Sequence, residues 1–465
     1  MLSVYEGGHH SSGRSSRREF LRIGTSAIGA MSLPGLLATR ASAAGPAVKD
    51  TSVVVLNLQG GPTQFETFDP NMQAPSEVRS VTGEVQTVLP GVTFGGSFPR
   101  LAALADKMAV VRSYRHGISS HGTAAMHVMA GGNPTGAMMG ALYSRVAGLT
   151  NAVTGVPKNV LVTSRAMGSQ HKELYYNADR VSQTGTLASA YRPFDPSAGS
   201  ELLQNMQLQI DNGRLDDRRG LLSRLDALRR DYDDGRLETA NRFQQQAFDV
   251  LVRGVASAFD LSKEDPATVA RYDTSQFEPG DGVKKRNGYA KQFSPITLGK
   301  QMLLARRLCE AGCGFVTVTS PGWDMHGGGK EFTMADGLSS LTPAVDRAVS
   351  AFIEDVHGRG LNDNILLVIT GEFGRTPRVN KNGGRDHWGN LCTLAFAGGG
   401  LKMGQVIGKS DRTGSEPAGD PISSTNVLAT IMHTLFDIGQ VRLMTGIPNE
   451  VERVITGGEP IRELV

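Results

Sequence analysis

The stretch SVVVLNLQGG, Ser52 to Gly61, constrains the fold more than any other segment. Its apolar residues are continuous rather than alternating, and a glycine turn ends it. A strand with one wet face alternates; a strand covered by helices on both faces does not. Similar runs recur in PKNVLVTS (Pro157 to Ser164), CGFVTVTS, DNILLVIT and LCTLAFAG. Helical periods lie between them. One spans Phe98 to about Lys107 before a strand from Met108 to Ser113. MHVMA is stopped by Gly131 and Gly132, LGKQMLLARRLCEA ends at Gly312, LTPAVDRAVSAFIEDVHGRGL carries Pro343 in its first turn, and STNVLATIMHTLFDIG is the terminal helix. This rhythm predicts an α/β fold, a mainly parallel sheet flanked by helices, with ligand loops at the carboxyl ends of its strands.

A chain of 465 residues, 39% hydrophobic, can bury a sizeable core. We expect one domain over 44–465. Within it, the charged stretch DDRRGLLSRLDALRRDYDDGRLETANRFQQQAFDVL has a helical period, with Leu221, Leu222, Leu225 and Leu228 on one stripe. It predicts a helical insertion at about 200–262.

Residues 1–43 read as an export signal. SSRREFLRIG precedes a short apolar run and the small-residue segment TRASAAG, with cleavage expected after Ala43. Arg17 and Arg18 resemble the twin-arginine pair, which implies the twin-arginine translocation machinery as a partner. The apolar run is too short for a stable transmembrane anchor in the mature form. The expected location is exported, in the periplasm or cell envelope. The signal carries five arginines and two acidic residues, a net of +3, and the whole chain is also +3, so the remainder is near neutral. No basic stripe argues for nucleic acid. The three cysteines, Cys309, Cys313 and Cys392, are an odd count that a core of this size does not need as disulfides; Cys309 and Cys313 read as packed helix residues.

Four polar loops follow the strands. LQGGPTQFETFDP holds Gln59, Gln64, Glu66 and Asp69. RSYRHGISSHGTAAMHVMAGG holds His116, Ser120, His121, Thr123 and His127. SPGWDMHGGG holds Asp324 and His326, and VITGEFGRTPRVNKNGGRDHWGN holds Glu372, Arg375, Arg385, Asp386 and His387. Carboxylates and imidazoles converging from separate segments are what a metal needs, so Asp324, His326, Glu372, Asp386 and His387 are the candidate ligands. Arg375 and Arg385 either clamp an anion or lock the long loop through Glu372 or Asp386. His121 with Ser119, Ser120 or Thr123 is a candidate nucleophile and base pair. Trp323 and Trp388, with Gln59 and Glu66, are candidate pocket residues.

Together, LQGGPTQFETFDP, HGISSHGTAAMHVMAGG, AFDLSKEDPATVARYD, PGWDMH and TGEFGRTPRVNKNGGRDHW resemble the DUF1501 family, a bacterial family of unknown function with sulfatase-like character. The resemblance covers nearly all of the chain after the signal. It implies an alkaline phosphatase-like fold with metals at the strand ends. Asp324 and His326 then lie near the superfamily's Asp and His ligands, Glu372 falls where an Asp-His pair normally follows a strand, and His387 resembles the late histidine ligand. The departures are specific. The first strand ends in Asn57, Leu58 and Gln59 where the superfamily has an aspartate, with Glu66 and Asp69 several residues on. His121 stands near the nucleophile position, with Ser120 and Thr123 out of register, and no C-x-P-x-R motif is present. Two functions follow: a hydrolase of phosphate or sulfate esters dependent on a divalent metal (zinc, calcium or magnesium), acting on a phosphorylated or sulfated small molecule or glycan, or a non-catalytic exported protein that binds a polysaccharide or envelope partner.

Overall fold

The structure, a computed structural model, describes residues 46–171, 175–197, 255–286, 294–328 and 332–465. The expected signal over 1–43 and most of the expected insertion lie outside the described residues. Eleven strands are described: β1 Ser52–Gln59, β2 Glu84–Gln86, β3 Thr93–Gly95, β4 Met108–Val111, β5 Asn159–Val162, β6 Phe315–Pro321, β7 Ile365–Gly371, β8 Gly374–Arg375, β9 His387–Trp388, β10 Leu394–Gly398 and β11 Gln405–Ile407. The longer helices are α1 His121–Ala130, α2 Met139–Ala147, α3 Tyr175–Arg180, α4 Leu298–Glu310, α5 Met334–Gly358, α6 Ser424–Leu435 and α7 Asn449–Thr456.

Seven strands form one sheet in the order β11-β4-β10-β7-β1-β6-β5. The continuous apolar run of β1 sits at its centre, parallel to β6 on one side and β7 on the other. Every residue of β1 is buried, as a strand covered on both faces requires. Alternation along it feeds two cores. Val54, Leu56 and Leu58 pack with α4 and α5, whereas Val53 and Val55 pack with α1, α2, α6 and α7. The sheet is mainly parallel, as expected, but β10 runs antiparallel to both β4 and β7. The connection from β7 to β10 contains no crossover helix; it folds back through the short β8–β9 ribbon, and a chain that returns without a crossover pairs antiparallel.

Three helical readings differ from expectation. The helix expected over Phe98 to Lys107 is two short pieces, Pro99–Ala102 and the 3-10 turn Ala105–Lys107. Pro343 is not in a first turn but inside α5, which begins nine residues earlier at Met334. Thr333 caps it by accepting from the Asp336 amide at 3.1 Å, a start signal hidden in a glycine-rich stretch. The helix α6 is not terminal, since α7 follows and packs in the same core. Cys309 lies in α4, but Cys313 lies just past its end; all three cysteines are buried and free. Among the described residues, no helix is long and apolar enough to cross a membrane.

Candidate metal centre

The carboxyl ends of β1, β6 and β7 meet the start of α1 at one point. His121 opens α1. Asp324 and His326 follow β6, and His387 lies in β9, paired across the ribbon with Arg375. The four side chains His121, Asp324, His326 and His387 bring one ligand atom each to within 4.8 Å of the others.

Two glycines make this convergence possible. Gly60 has φ of +109°, and a Cβ there would lie 2.5 Å from the Asp324 amide nitrogen. Only a residue without a side chain lets the loop after β6 press against the turn after β1. A Cβ on Gly384 would lie 2.0 Å from the His326 carbonyl carbon, so the loop before His387 closes onto the His326 segment in the same way.

These atoms lie close enough together for one cation to be held between them. The His121 Nε2 lies 3.3 Å from Asp324 Oδ2. The His326 and His387 Nε2 atoms lie 3.0 and 3.2 Å from Asp324 Oδ1, and 2.8 Å from each other. Bonds of about 2.0–2.2 Å to a tetrahedral zinc put neighbouring ligand atoms about 3.4 Å apart, so these edges need to open only slightly. Each histidine has its other nitrogen committed. Nδ1 of His121 donates to Glu372 Oε2 at 2.5 Å, Nδ1 of His326 to Asp386 Oδ1 at 2.9 Å, and Nδ1 of His387 to the Ser119 carbonyl at 3.0 Å. With the proton on Nδ1, each neutral ring turns an Nε2 lone pair inward. Two such lone pairs facing at 2.8 Å repel unless a proton or a cation lies between them.

The electrostatics agree. Burial opposes ionisation of Asp324, but its bonds to His121, His326 and His387 and the Arg375 charge outweigh burial and hold it well below the usual carboxylate range. Burial would depress His121, yet bonds to Asp324 and Glu372 raise it to about 9. His326 is raised by its bond to Asp324, against burial, with help from Asp386. Without a metal, protons hold the anionic cluster together. The side chains of His121, Asp324, His326 and His387 keep 31, 18, 23 and 22% exposure, so solvent and ligands reach the cluster.

The candidate ligands of the sequence therefore divide. Asp324, His326 and His387 come together. Glu372, buried at 2% exposure, and Asp386 stand one step behind, holding the Nδ1 protons of His121 and His326. His121, expected as a base or nucleophile, instead offers a fourth possible ligand atom. Nothing in the local sequence distinguishes it from His116 or His127; only the packing of α1 over β1 and β7 does. Those two rings pack 5.6 Å apart, with His116 also 3.4 Å from the Cys392 sulfur. Ser120 and Thr123 are exposed, and among the described residues no hydrogen bond links their hydroxyls to the cluster.

Arg375 and Arg385 do not clamp an anion. Both are buried, at 1 and 0% exposure. Arg375 donates to the carbonyls of Gly60, Gly61, Trp323 and Arg385 and to Asp324 Oδ1 at 2.7 Å. Arg385 donates to the carbonyls of Thr376, Pro377, Val78 and Arg79 and pairs with Glu66 at 3.2 Å. They lock the loop, but through backbone carbonyls, Asp324 and Glu66 rather than through Glu372 or Asp386. Glu66 is thereby consumed, and Asp69 accepts from Ser410 at 2.6 Å beside Arg112, so neither acid reaches the centre. Trp323 is a core residue rather than a pocket wall. Trp388 is half-buried and donates to the Ser415 carbonyl at 2.6 Å. Gln59 is buried with neither side-chain amide atom partnered.

The model of the DUF1501 family, described as a protein of unknown function, matches residues 50–465. No curated protein matches the sequence. Among solved structures the chain is similar to a phosphonate monoester hydrolase from Silicibacter pomeroyi, at 13% identity over 89% of this chain and 77% of that one, with a TM-score of 0.38. It is similar to the PsFucS1 sulfatase from Pseudoalteromonas sp., at 12% identity over 83% and 68%, with a TM-score of 0.34. Alkaline phosphatase from the Antarctic bacterium TAB5 matches at 9% identity over 78% and 95%, with a TM-score of 0.28. All three scores are low, and the likeness carries no inference about the site's chemistry.

Proposed function

Taking as premise that the chain belongs to the DUF1501 family, which its match over residues 50–465 shows, we propose that it is an exported, metal-dependent hydrolase of phosphate or sulfate esters, with the metal held by His121, Asp324, His326 and His387. The observation that carries this reading is the set of three committed Nδ1 atoms, which leaves three Nε2 lone pairs converging on Asp324. Three imidazoles and one carboxylate suit a zinc-type ion; calcium and magnesium prefer oxygen.

A divalent cation bound there supplies Lewis acidity toward an ester oxygen and lets water react at neutral pH. The chain's own residues do the rest. Asp324 provides the negative charge of the ligand set, and Arg375 fixes its position by a buried ion pair. Glu372, Asp386 and the Ser119 carbonyl keep the imidazoles in the tautomer that binds. Because Ser120 and Thr123 make no hydrogen bond to the cluster, we assign the attack to water rather than to a side-chain hydroxyl. A phosphatase and sulfatase panel run on zinc-loaded and metal-stripped protein tests the reading. We expect hydrolysis by the loaded form only; a zinc-loaded protein inert on every phosphate and sulfate ester would favour a non-catalytic binding role. Residues 1–43 we assign to twin-arginine export.

A further inference from the structure

A cavity of about 410 Å³ opens at the far end of α1, between the loop that follows this helix and the helices α6 and α7. That is the size of a small-molecule site. The helix α1 runs ten residues, from His121 to Ala130, so Gly132 on the cavity wall lies about 15 Å along the helix from the metal centre. None of the four candidate ligands lines it.

The wall is mostly apolar. Leu428 and Ala429 of α6 and Val454 of α7 line it. The neutral polar side chains on the wall are already committed. Asn133 donates through Nδ2 to the Ala130 and Ala137 carbonyls at 2.5 and 2.8 Å, and its Oδ1 accepts from Thr135. The Thr425 hydroxyl lies 2.8 Å from that of Ser423. The charge at the cavity comes from Glu450 and Arg453 of α7, both exposed. They are three residues apart and therefore share one helix face. Glu459 and Arg462 have the same spacing and pair at 2.8 Å. Glu450 and Arg453 do not pair, and among the described residues neither side chain has a hydrogen bond or an ion pair.

We infer that this cavity binds a small zwitterion with an apolar body, the chemistry of an apolar α-amino acid, with its carboxylate on Arg453 and its ammonium on Glu450. The charges decide the class. A wholly apolar ligand would leave both groups unpaired beside a surface it had dried, which is costly. A simple anion would meet Glu450 as well as Arg453, and a simple cation the reverse. A guanidinium fits a carboxylate through two parallel N–H donors, and a carboxylate accepts from an ammonium. The ligand's apolar side chain gains by leaving water for Leu428, Ala429 and Val454. The site is independent of the proposed function, and no part of it uses the metal.

The test titrates the full chain, by ligand-observed NMR, with three probes that share one apolar body: L-phenylalanine, 3-phenylpropionate without the ammonium, and phenethylamine without the carboxylate. We expect phenylalanine to bind with a Kd below about 1 mM and at least about fivefold more tightly than either of the others. Arg453→Gln and Glu450→Gln should each weaken it about fivefold or more, with melting temperature unchanged, because both side chains are exposed. Ala429→Leu should abolish binding by filling the cavity; should that variant unfold, the two α7 variants decide alone. Phenylalanine that binds no better than 3-phenylpropionate or phenethylamine overturns the inference, as does wild-type affinity in both α7 variants. Binding that disappears when a chelator is added belongs to the metal centre and also overturns it. A wild type that sediments as a dimer, and as a monomer after Arg453→Gln, would give the cavity to a second copy of the chain and overturn the ligand assignment.

Discussion

Raising the pH should tighten zinc binding, and the structure sets by how much. In the metal-free protein His121 titrates at about 9, because its bonds to Asp324 and Glu372 outweigh burial. At pH 7 it is almost entirely protonated, and its proton must leave before Nε2 can take a metal. One competing proton makes the apparent affinity rise about tenfold per pH unit well below its pKa and less near it, so between pH 7 and 9 the gain is about 50-fold, or about 2.3 kcal/mol. Above pH 9 this contribution levels off. His326, also raised, adds to the slope at the lower end. The assay is competition against a chelator of known affinity at half-unit steps, with calorimetry in two buffers of different ionisation enthalpy to count the protons released. Glu372→Gln separates the two roles of that carboxylate. It removes one cause of the raised His121, so the slope should flatten at a lower pH. It also loosens the ring, so the plateau should fall about 10- to 100-fold. A flat affinity from pH 7 to 9, or a Glu372→Gln curve that overlays the wild type, would refute the assignment of His121 as a ligand held by Glu372.

Three further outcomes follow. Metal-free protein should lose stability as pH rises, because the folded His121 value of about 9 exceeds the unfolded value near 6.5. The contribution is complete below about 6.5 and gone above 9, so melting temperature should fall across that window with chelator and less with zinc. Arg385→Met should cost about 3–5 kcal/mol, since it leaves Glu66 buried at 0% exposure without its cation. Denaturant melts should show the same loss with zinc and with chelator, whereas a loss confined to zinc would place Arg385 in the centre instead. Changing Arg17 and Arg18 to lysine should leave unprocessed precursor in the cell, seen by immunoblot, and normal processing would assign export to the general secretory route.

The sheet was legible in the sequence because burial on both faces writes itself as uninterrupted apolar runs: β1, β6 and β7 each follow one. The reversal of β10 was not, because an apolar run records burial but not direction, and direction depended on the β8–β9 turn-back. At the site, Asp324, His326 and His387 were legible as chemistry-bearing residues after strands. Their division of labour with Glu372 and Asp386 was not, since adjacent residues such as Asp386 and His387 face different partners only once the ribbon is formed. The sequence left the two arginines as either a clamp or a lock. What decides between them is a set of backbone carbonyls from Gly60, Gly61, Val78 and Arg79, and every residue carries such a carbonyl, so side-chain patterns cannot point to them.

The most direct test of the metal centre is a crystal structure of zinc-soaked protein with anomalous data collected at the zinc edge. We expect one strong anomalous peak bonded to Nε2 of His121, His326 and His387 and to an Asp324 oxygen, with the Nδ1 bonds to Glu372, Asp386 and Ser119 intact. A cluster without a peak, with His326 and His387 still paired to each other through a proton, would contradict it.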